Sequence, residues 1–495
     1  GPQSPVCREG LDLLHHEWDE LREEDVQVLF DEWQRYLEIV HGNGDQPETL
    51  FVRHTYLSTI AKLLAYIKYV GGLPDEDDIE DVITGETFQR LGIRNFIEED
   101  FFSWIARDES GGAEKRIGSH LLARLRDYDL TDINEDVLKS LYQNLVTPGE
   151  RHSLGEYYTP DWLCEKIVEE ELEDNPEASI LDPTCGSGTF LFEAIRYKKE
   201  HTELDGEDLL NHVFENVVGV DIHPLAVIIA RTNYLLAAGD LVRNSRTGEV
   251  RVPVYLSNSI MPPEHDTDPQ TDEQVPVYQF NADEAVFEVP AAIEQNDISD
   301  LFDSIKDYLD GIEDSNEGPV EENAYASLRA DVDGFDSLTE DEKGTIFRSL
   351  VEQISELRSQ GRDTIWTFIL KNVYKPIYLK DRKFDRVLGN PPWLAYRFIS
   401  RESYKDHVKN LIREEYELLD SNDTHNLTTM ELASLIFVYS LDNYLESGGR
   451  ISFVMPRGIV SGGQHNRLRQ FEAFGGHLSY FWDLEDVTPL FNNLT

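Results

Sequence analysis

The chain is expected to fold as an α/β protein on a mostly parallel, doubly wound sheet, preceded by a helical region. Three observations predict this. From Ser179 onward, short apolar runs alternate with helical patterns, the signature of strands joined by crossover helices. The polar and glycine-rich segments follow these runs, at the carboxyl ends of strands, where such sheets bind ligands. Before them, residues 1–150 carry helical periodicity instead.

Leu11 to Val40 places Leu14, Trp18, Leu21, Val26, Leu29, Phe30, Trp33 and Leu37 at helical spacing, and Thr55 to Val70 repeats the pattern. Gly42-Asn43-Gly44 and Gly71-Gly72-Leu73-Pro74 break these helices. Asn95 to Ala106 is rich in aromatics, and Val137 to Leu145 is a further amphipathic turn or two. Six strands are expected next: Ser179–Asp182, Asn216–Val220, Val252–Leu256, Phe384–Leu388, Arg450–Val454 and Ser479–Trp482. Helices are expected over Leu191–Tyr197, Leu225–Ala237 and Thr428–Leu445. Between the third and fourth strands, Met261 to Lys343 holds 25 acids and three bases, with helices near Ile298–Tyr308 and, just beyond, Ile346–Leu357. An insert of that length is either its own subdomain or partly disordered. The expected division is therefore 1–150 helical, 151–260 and 346–495 the two halves of the α/β domain, and 261–345 the acidic insert.

With 495 residues, 40% of them hydrophobic, the chain can build two or three cores. No run of about 18 apolar residues is present, so no membrane span is expected. No signal-peptide pattern is visible, and Gly1-Pro2 reads as a protease-cleavage scar. Cys7, Cys164 and Cys185 lack metal-ligand spacing, so neither a metal site nor a disulfide framework is expected, and the compartment is a reducing cytoplasm. A net charge of −52 argues at first against nucleic acid. The acids are spread along the chain, however, as in proteins that work in molar salt, where self-repulsion is screened. Local exceptions exist. Lys371 to Lys405 has nine Lys/Arg against three Asp/Glu, and Pro456 to Phe471 has Arg457, Arg467 and Arg469 with no acid.

The basic island is centred on Asn390-Pro391-Pro392-Trp393, directly after an apolar strand. Consecutive prolines fix φ and remove two backbone donors. The Asn390 side-chain oxygen and the Pro391 carbonyl can accept both hydrogens of an amino group, while Trp393 stacks on the ring that bears it. The alternative is an ordinary turn after a strand. Asp182 to Phe190 places Gly186 and Gly188 at a helix N-terminus, where backbone can approach a ligand. It lacks the third glycine and the basic residue of phosphate-binding loops, which argues against a P-loop nucleotidase. Asp221, ending the next strand, suits the two ribose hydroxyls of a nucleoside cofactor or, equally, a helix cap. Cys185 reads as a small packing residue and not a nucleophile.

These motifs together resemble the amino-methylating DNA methyltransferases that act on adenine, in the group whose cofactor motif precedes the catalytic one. Gly155-Glu-Tyr-Tyr-Thr-Pro160 is similar to the segment that folds over S-adenosylmethionine. Asp182-Pro-Thr-Cys-Gly-Ser-Gly-Thr-Phe190 is similar to the cofactor loop, and Gly219-Val-Asp-Ile-His-Pro224 to the ribose-binding motif. Asn390-Pro-Pro-Trp393 is similar to the catalytic tetrapeptide. The resemblance runs from about Thr49 to the end and extends to type I modification subunits, fused restriction-methylation enzymes and DISARM- and BREX-like defence proteins. It implies a class I S-adenosylmethionine-dependent methyltransferase fold, with a cofactor-binding half over 151–260 and a catalytic half over 346–495. It also implies cofactor contacts from Tyr158, Thr159, Pro160, Asp182, Gly186, Ser187, Gly188, Asp221, Ile222 and Asn258. Asn258 stands where the family often has an acid.

The implied reaction is methylation of the exocyclic amine of an adenine flipped out of double-stranded DNA, in a restriction-modification or phage-defence system of a haloarchaeal host. The alternatives are transfer to RNA or to a protein glutamine amide, or a subunit that binds cofactor without catalysis. After the sixth expected strand, Asp486 to Thr495 is too short for the antiparallel seventh that the family carries. A longer chain with a recognition domain, or a specificity partner, is therefore expected. From the charge of −52, thermal midpoints should rise steadily between low and molar potassium chloride. A melting series by circular dichroism that stays flat or falls with salt would contradict the halophilic reading.

Overall fold

The structure is a computed structural model. It describes residues 5–21, 25–38, 47–96, 101–106, 112–126, 138, 159–246, 248–267, 275–282, 285–293, 297–313, 318–359, 370, 373–419 and 424–487. The expected break at Gly42-Asn43-Gly44, most of the turn at Val137–Leu145 and the segment Gly155–Tyr158 lie outside these residues. In chain order the principal elements are α1 (Pro5–Leu21), α2 (Asp25–Glu38), α3 (Pro47–Val70), α4 (Ala113–Leu125), α5 (Asp161–Leu172), β1 (Ile180–Asp182), α6 (Thr189–His201), α7 (Gly206–Asn216), β2 (Val217–Asp221), α8 (Pro224–Ser245) and β3 (Val254–Leu256). Next come β4 (Glu264–Thr267), β5 (Pro276–Ala282), β6 (Ala285–Pro290), α9 (Asp297–Glu313), α10 (Glu321–Asp331), β7 (Phe384–Gly389), α11 (Leu432–Asn443) and β8 (Leu445–Phe453). They form two compact units, residues 1–254 with 382–495, and residues 255–381.

The first unit holds the five-stranded sheet, in the order β3-β2-β1-β7-β8. The β2–β1, β1–β7 and β7–β8 pairings are all parallel. Strand β1 is wholly buried, as expected where helices cover both faces of a parallel sheet. The chain leaves β1 toward β2 and β3 on one side and returns on the other as β7 and β8. The order therefore reverses between β1 and β7, and ligands of such sheets bind at that reversal. Helix α8 begins on Pro224, with His223 as N-cap accepting from Ala226 N at 3.3 Å. It is long and apolar enough to cross a membrane, but its most apolar stretch is 89% buried, so it serves as a core helix. The helical region packs its own aromatic core. Trp18, Trp33, Phe51 and Trp104 are buried together, with ring centroids 5.1–6.4 Å apart in the contacting pairs.

One expected strand is absent. Ser479 to Trp482 carries no regular secondary structure and pairs with nothing in a ladder, and Phe481 is 54% exposed. It is tied down by side chains, with the Tyr480 hydroxyl bonded to Glu171 and 3.1 Å from Ser452 Oγ of β8. Aromatic content gave the segment the look of a strand, but without burial on a face nothing fixes a pairing register.

The second unit has its own core around Phe287, Ile298, Phe302, Leu328, Leu350 and Tyr374. Its sheet is antiparallel, β4-β5-β6, and was not foreseen. Tyr374 is buried and donates to Phe287 O at 2.9 Å. Glu288 is buried in this unit, its carboxylate accepting from Gln279 Nε2 at 3.0 Å and Ser349 Oγ at 3.4 Å, and α9 spans the helix expected near Ile298–Tyr308.

The basic island is partly internal. Arg386 of β7 is buried with Glu171, the last turn of α5. It donates to Glu171 O at 2.7 Å and to Asp174 Oδ1 at 2.9 Å, and lies 3.7 Å from Glu171 Oε2. Lys383 donates to the carbonyls of Asp442 and Asn443. Arg457 pairs with Asp483 and Glu485, and Arg469 donates to the Ile459 and Gly462 carbonyls. Truncating Arg386 should leave the Glu171 carboxylate buried without its nearest cation. Arg386→Ala should therefore destabilise the fold by about 3–5 kcal/mol, read as a lower urea midpoint with an unchanged slope.

Candidate active site

The site is built on the carboxyl ends of β1, β2 and β7. Asp182 closes β1 and is buried, and its Oδ1 accepts from Thr184 N at 3.1 Å. The loop then turns back, with Cys185 N donating to Val220 O at 2.9 Å and Gly188 N to Cys185 O at 2.8 Å. Gly186 has φ +53 and Gly188 φ +81, both in the left-handed region that favours glycine. A Cβ on Gly188 would lie 3.1 Å from the backbone Cα of Ala230, so the loop can sit this close to α8 only without a side chain. A Cβ on Gly186 would meet nothing within 4 Å, so this part of the loop faces open space. Ser187 is buried, its hydroxyl 3.3 Å from that of Thr189 and its carbonyl accepting from Asn233 Nδ2 at 2.8 Å. Thr184 Oγ1 is buried and makes no hydrogen bond among the described residues.

Asp221 binds the two loops together. Its Oδ2 accepts from Gly186 N and its Oδ1 from His223 N, each at 2.8 Å. Desolvation pushes its carboxyl up to about 6, against the lowering effect of these N–H groups. Asp182 is raised well above the usual carboxylate range, chiefly by burial and also by the Asp221 charge. His223, beside it, is lowered to about 4 by burial and is neutral at pH 7. Ile222, half-buried, sits between Asp221 and His223 on this turn. Cys185 is buried with its thiol raised well above its ordinary value by desolvation, and a Cβ on Gly219 would come within 3.1 Å of its sulfur. It is a packing residue.

Asn390 to Trp393 leaves β7 at the reversal point. A Cβ on Gly389 would fall 2.7 Å from Asp182 Oδ1, so the tetrapeptide starts in direct contact with the β1 carboxylate. Gly389 O accepts from Val454 N at 2.9 Å, and Trp393 Nε1 donates to Val454 O at 3.2 Å. Pro391 is buried, while Asn390, Pro392 and Trp393 are half-buried. Arg397 and Phe398 follow, both exposed, the guanidinium 4.7 Å from the ring centroid. Of the remaining sequence-selected residues, Thr159 is buried and Pro160 is the N-cap residue of α5, whereas Tyr158 lies outside the described residues. Asn258 belongs to the second unit, where its Oδ1 accepts from Ile260 N at 3.1 Å. Thus Asp182, Gly186, Ser187, Gly188, Asp221, Ile222 and Asn390 to Trp393 all lie at the carboxyl ends of the three central strands. Sequence reasoning passed over Thr184 and His223, both inside the motifs it quoted, because neither residue type stands out there. No group of three or more potential metal ligands occurs among the described residues.

A parallel sheet that reverses beside its first strand, with a glycine loop, an acid on the next strand and an Asn-Pro-Pro-Trp tip, defines a class I methyltransferase fold. The family description "Eco57I restriction-modification methylase" matches residues 215–488, more than half of the chain, and the chain belongs to this family. A second description, "N-6 DNA Methylase", matches residues 129–293. The chain is 25% identical over 236 residues to the type I restriction enzyme MjaVII methylase subunit of Methanocaldococcus jannaschii, covering 47% of this chain and 36% of that protein. It is 35% identical over 161 residues to the adenine-specific methyltransferase PglX of Streptomyces coelicolor, covering 30% of this chain and 12% of PglX. The chain thus matches only about a third or less of the length of these relatives. Among solved structures, that of the DrdV–DNA complex is similar over 93% of this chain and 35% of its own, with 13% identity and a TM-score of 0.46.

Filling the gap between Gly389 and Asp182 should be costly, because both sides of the contact are fixed by hydrogen bonds. Gly389→Ala should lose about 1–3 kcal/mol of stability, measured by urea unfolding. A midpoint equal to wild type would mean that the Asp182 side chain moves aside without cost.

Proposed function

We propose that this chain transfers a methyl group from S-adenosylmethionine to the N6 amine of an adenine flipped out of double-stranded DNA, within a host-defence or restriction-modification system. The observation that carries the reading is the contact of Gly389 with Asp182. It brings the Asn-Pro-Pro-Trp tip beside the glycine loop at the point where the sheet reverses, which supports reading them as the amine and cofactor sides of one site. The residues present fit the cofactor. The open face at Gly186 and the buried Thr184 hydroxyl leave room and a polar group for a ligand, and Asp221 supplies a carboxylate for the ribose. Asp182, Ser187, Gly188 and Ile222 would complete the cradle, with Thr159 and Pro160, and Tyr158 and Asn258 are proposed as further contacts. When bound, S-adenosylmethionine would supply an electrophilic methyl group.

The chain's own residues prepare the amine. The adenine amine is a poor nucleophile because its lone pair is delocalised into the ring. Asn390 and the Pro391 carbonyl would accept its two hydrogens and draw the nitrogen toward tetrahedral geometry. Charge that develops on that nitrogen is then stabilised by the same two acceptors, already in place. Pro392 stiffens the tip and Trp393 stacks on the base. Pulling a base from the stack costs a few kcal/mol, and the exposed Arg397 and Phe398 offer a cation and a ring to the DNA around the vacated position. The work divides between the helical region 1–150, the cofactor-binding half 151–260, the acidic insert 261–345 and the catalytic half 346–495. Sequence recognition is assigned to a partner subunit or a further domain, and the working environment to a salt-rich cytoplasm.

The test is labelled S-adenosylmethionine with duplex DNA in molar potassium chloride, followed by nucleoside mass analysis. N6-methyladenine should appear with the wild-type chain. Asn390→Ala should bind cofactor with nearly wild-type affinity by calorimetry yet lose about 100-fold or more in transfer, the scale of removing a preorganised charge-stabilising group. Normal turnover in that variant would remove the tetrapeptide from the chemistry.

A further inference from the structure

Three polar side chains in the segments that follow the tetrapeptide meet in a cluster that the mechanism above does not use. Glu431 is the N-cap residue of α11, Ser434 lies in its first turn, and His465 ends a short 3₁₀ turn, Gly463–His465. Ser434 and His465 are both 0% exposed. The Ser434 hydroxyl is 3.0 Å from His465 Nδ1, and His465 Nε2 is 2.7 Å from Glu431 Oε2, a close but angled approach outside ideal hydrogen-bond geometry. The imidazole thus lies between a hydroxyl at one ring nitrogen and a carboxylate at the other. Serine, histidine and an acid also make up acyl-transfer triads. Here the serine is sealed inside a helix and meets Nδ1, so it cannot reach a substrate.

The position of Glu431 gives the trio its meaning. Ala395 and Glu431 form an isolated antiparallel bridge. On either side of it, Tyr396 N donates to Met430 O at 2.8 Å and Leu432 N to Leu394 O at 2.9 Å. Residues 394–396, directly after Trp393, are therefore held by residues 430–432, and the central residue of that holding segment sends its carboxylate to His465. The loop that carries His465 is itself pinned, because Arg469 donates to the carbonyls of Ile459 and Gly462 at 2.8 and 2.9 Å. A two-rung ladder ending in helix and loop is short, and short ladders open easily unless side chains brace them.

We propose that His465 is a positioning residue for the catalytic tetrapeptide. By bridging Glu431 and Ser434 it locks the segment on which Leu394 and Tyr396 are hung, and so fixes where Asn390 and Trp393 stand. The inference rests on the function proposed for that tetrapeptide, but its physical core, the clamp, can be read separately.

Two measurements test it on the full chain in high salt. The first is hydrogen–deuterium exchange followed by mass spectrometry. In His465→Ala the amides of Tyr396 and Leu432 should exchange about tenfold faster or more, as expected when a short ladder loses the side chain that braces it, while Ile180–Asp182 stays as protected as in wild type. The second is single-turnover transfer to DNA. His465→Ala should lower the rate by about tenfold or more at unchanged cofactor affinity. His465→Gln, whose amide can reach Glu431, should recover more than His465→Asn, whose amide reaches only toward Ser434. If the alanine variant does not fold, the Gln and Asn pair decides the matter. Unchanged exchange at Tyr396 and Leu432 overturns the proposal. So does faster exchange spread evenly over the sheet, or equal behaviour of Gln and Asn. A wild-type chain that transfers no methyl group to DNA counts against the proposed function instead, and leaves the exchange result to judge the clamp.

Discussion

The contact between the backbone of Gly389 and the carboxylate of Asp182 is the constraint on which the rest of the first unit depends. Two strands far apart in sequence, β1 and β7, lie side by side in parallel register, with Ile180 opposite Arg386 and Leu181 opposite Val387. Their carboxyl ends can approach this closely only because one of them ends in glycine. The chain then diverges, one loop turning toward β2 and the other into Asn-Pro-Pro-Trp. The crevice between them follows from topology, and the chemistry of its two walls follows from the residues that end the strands.

Charge is handled by location. The chain carries −52 overall, yet individual acids inside the first unit are given close partners. Asp221 accepts two backbone N–H groups, and Glu171 is surrounded by Arg386, Arg450, Ser452 and Tyr480. Arg386 and Arg457, which belong to the two basic stretches of the sequence, are turned to internal or local acids. What remains outward near the tip is a smaller set, with Arg397 beside Phe398.

The second unit illustrates how a highly acidic segment still folds. Its apolar residues are few but regularly spaced along α9 and α10 and across β6, and they meet in one core that includes Phe287, Phe302 and Leu328. Acids on the exposed faces of α9 and α10, such as Asp310 and Glu322, are left to water and counterions, which screen them. The hairpin β5–β6 was hidden from sequence reading because strand signals depend on cross-strand packing, and the residues that supply it lie in α9 and beyond.

The sequence by itself determined the alternation of strands and helices, and with it the location of Asp182, Asp221 and Asn390 at strand ends. Each depends on local pattern: a short β-branched run, a glycine turn, a proline pair. It also marked Gly186 and Gly188 as backbone positions, because positive φ is a local property. The tertiary structure alone decided which strand lies beside which, and so that Gly389 must be small against Asp182. It decided that Ser479 to Trp482 packs by side chains without joining the sheet, since register needs a buried face. And it alone brought His465 to Glu431 and Ser434, across 34 and 31 positions of chain, because burial of a polar side chain is set by what surrounds it in space and leaves no periodic trace in the order of residues.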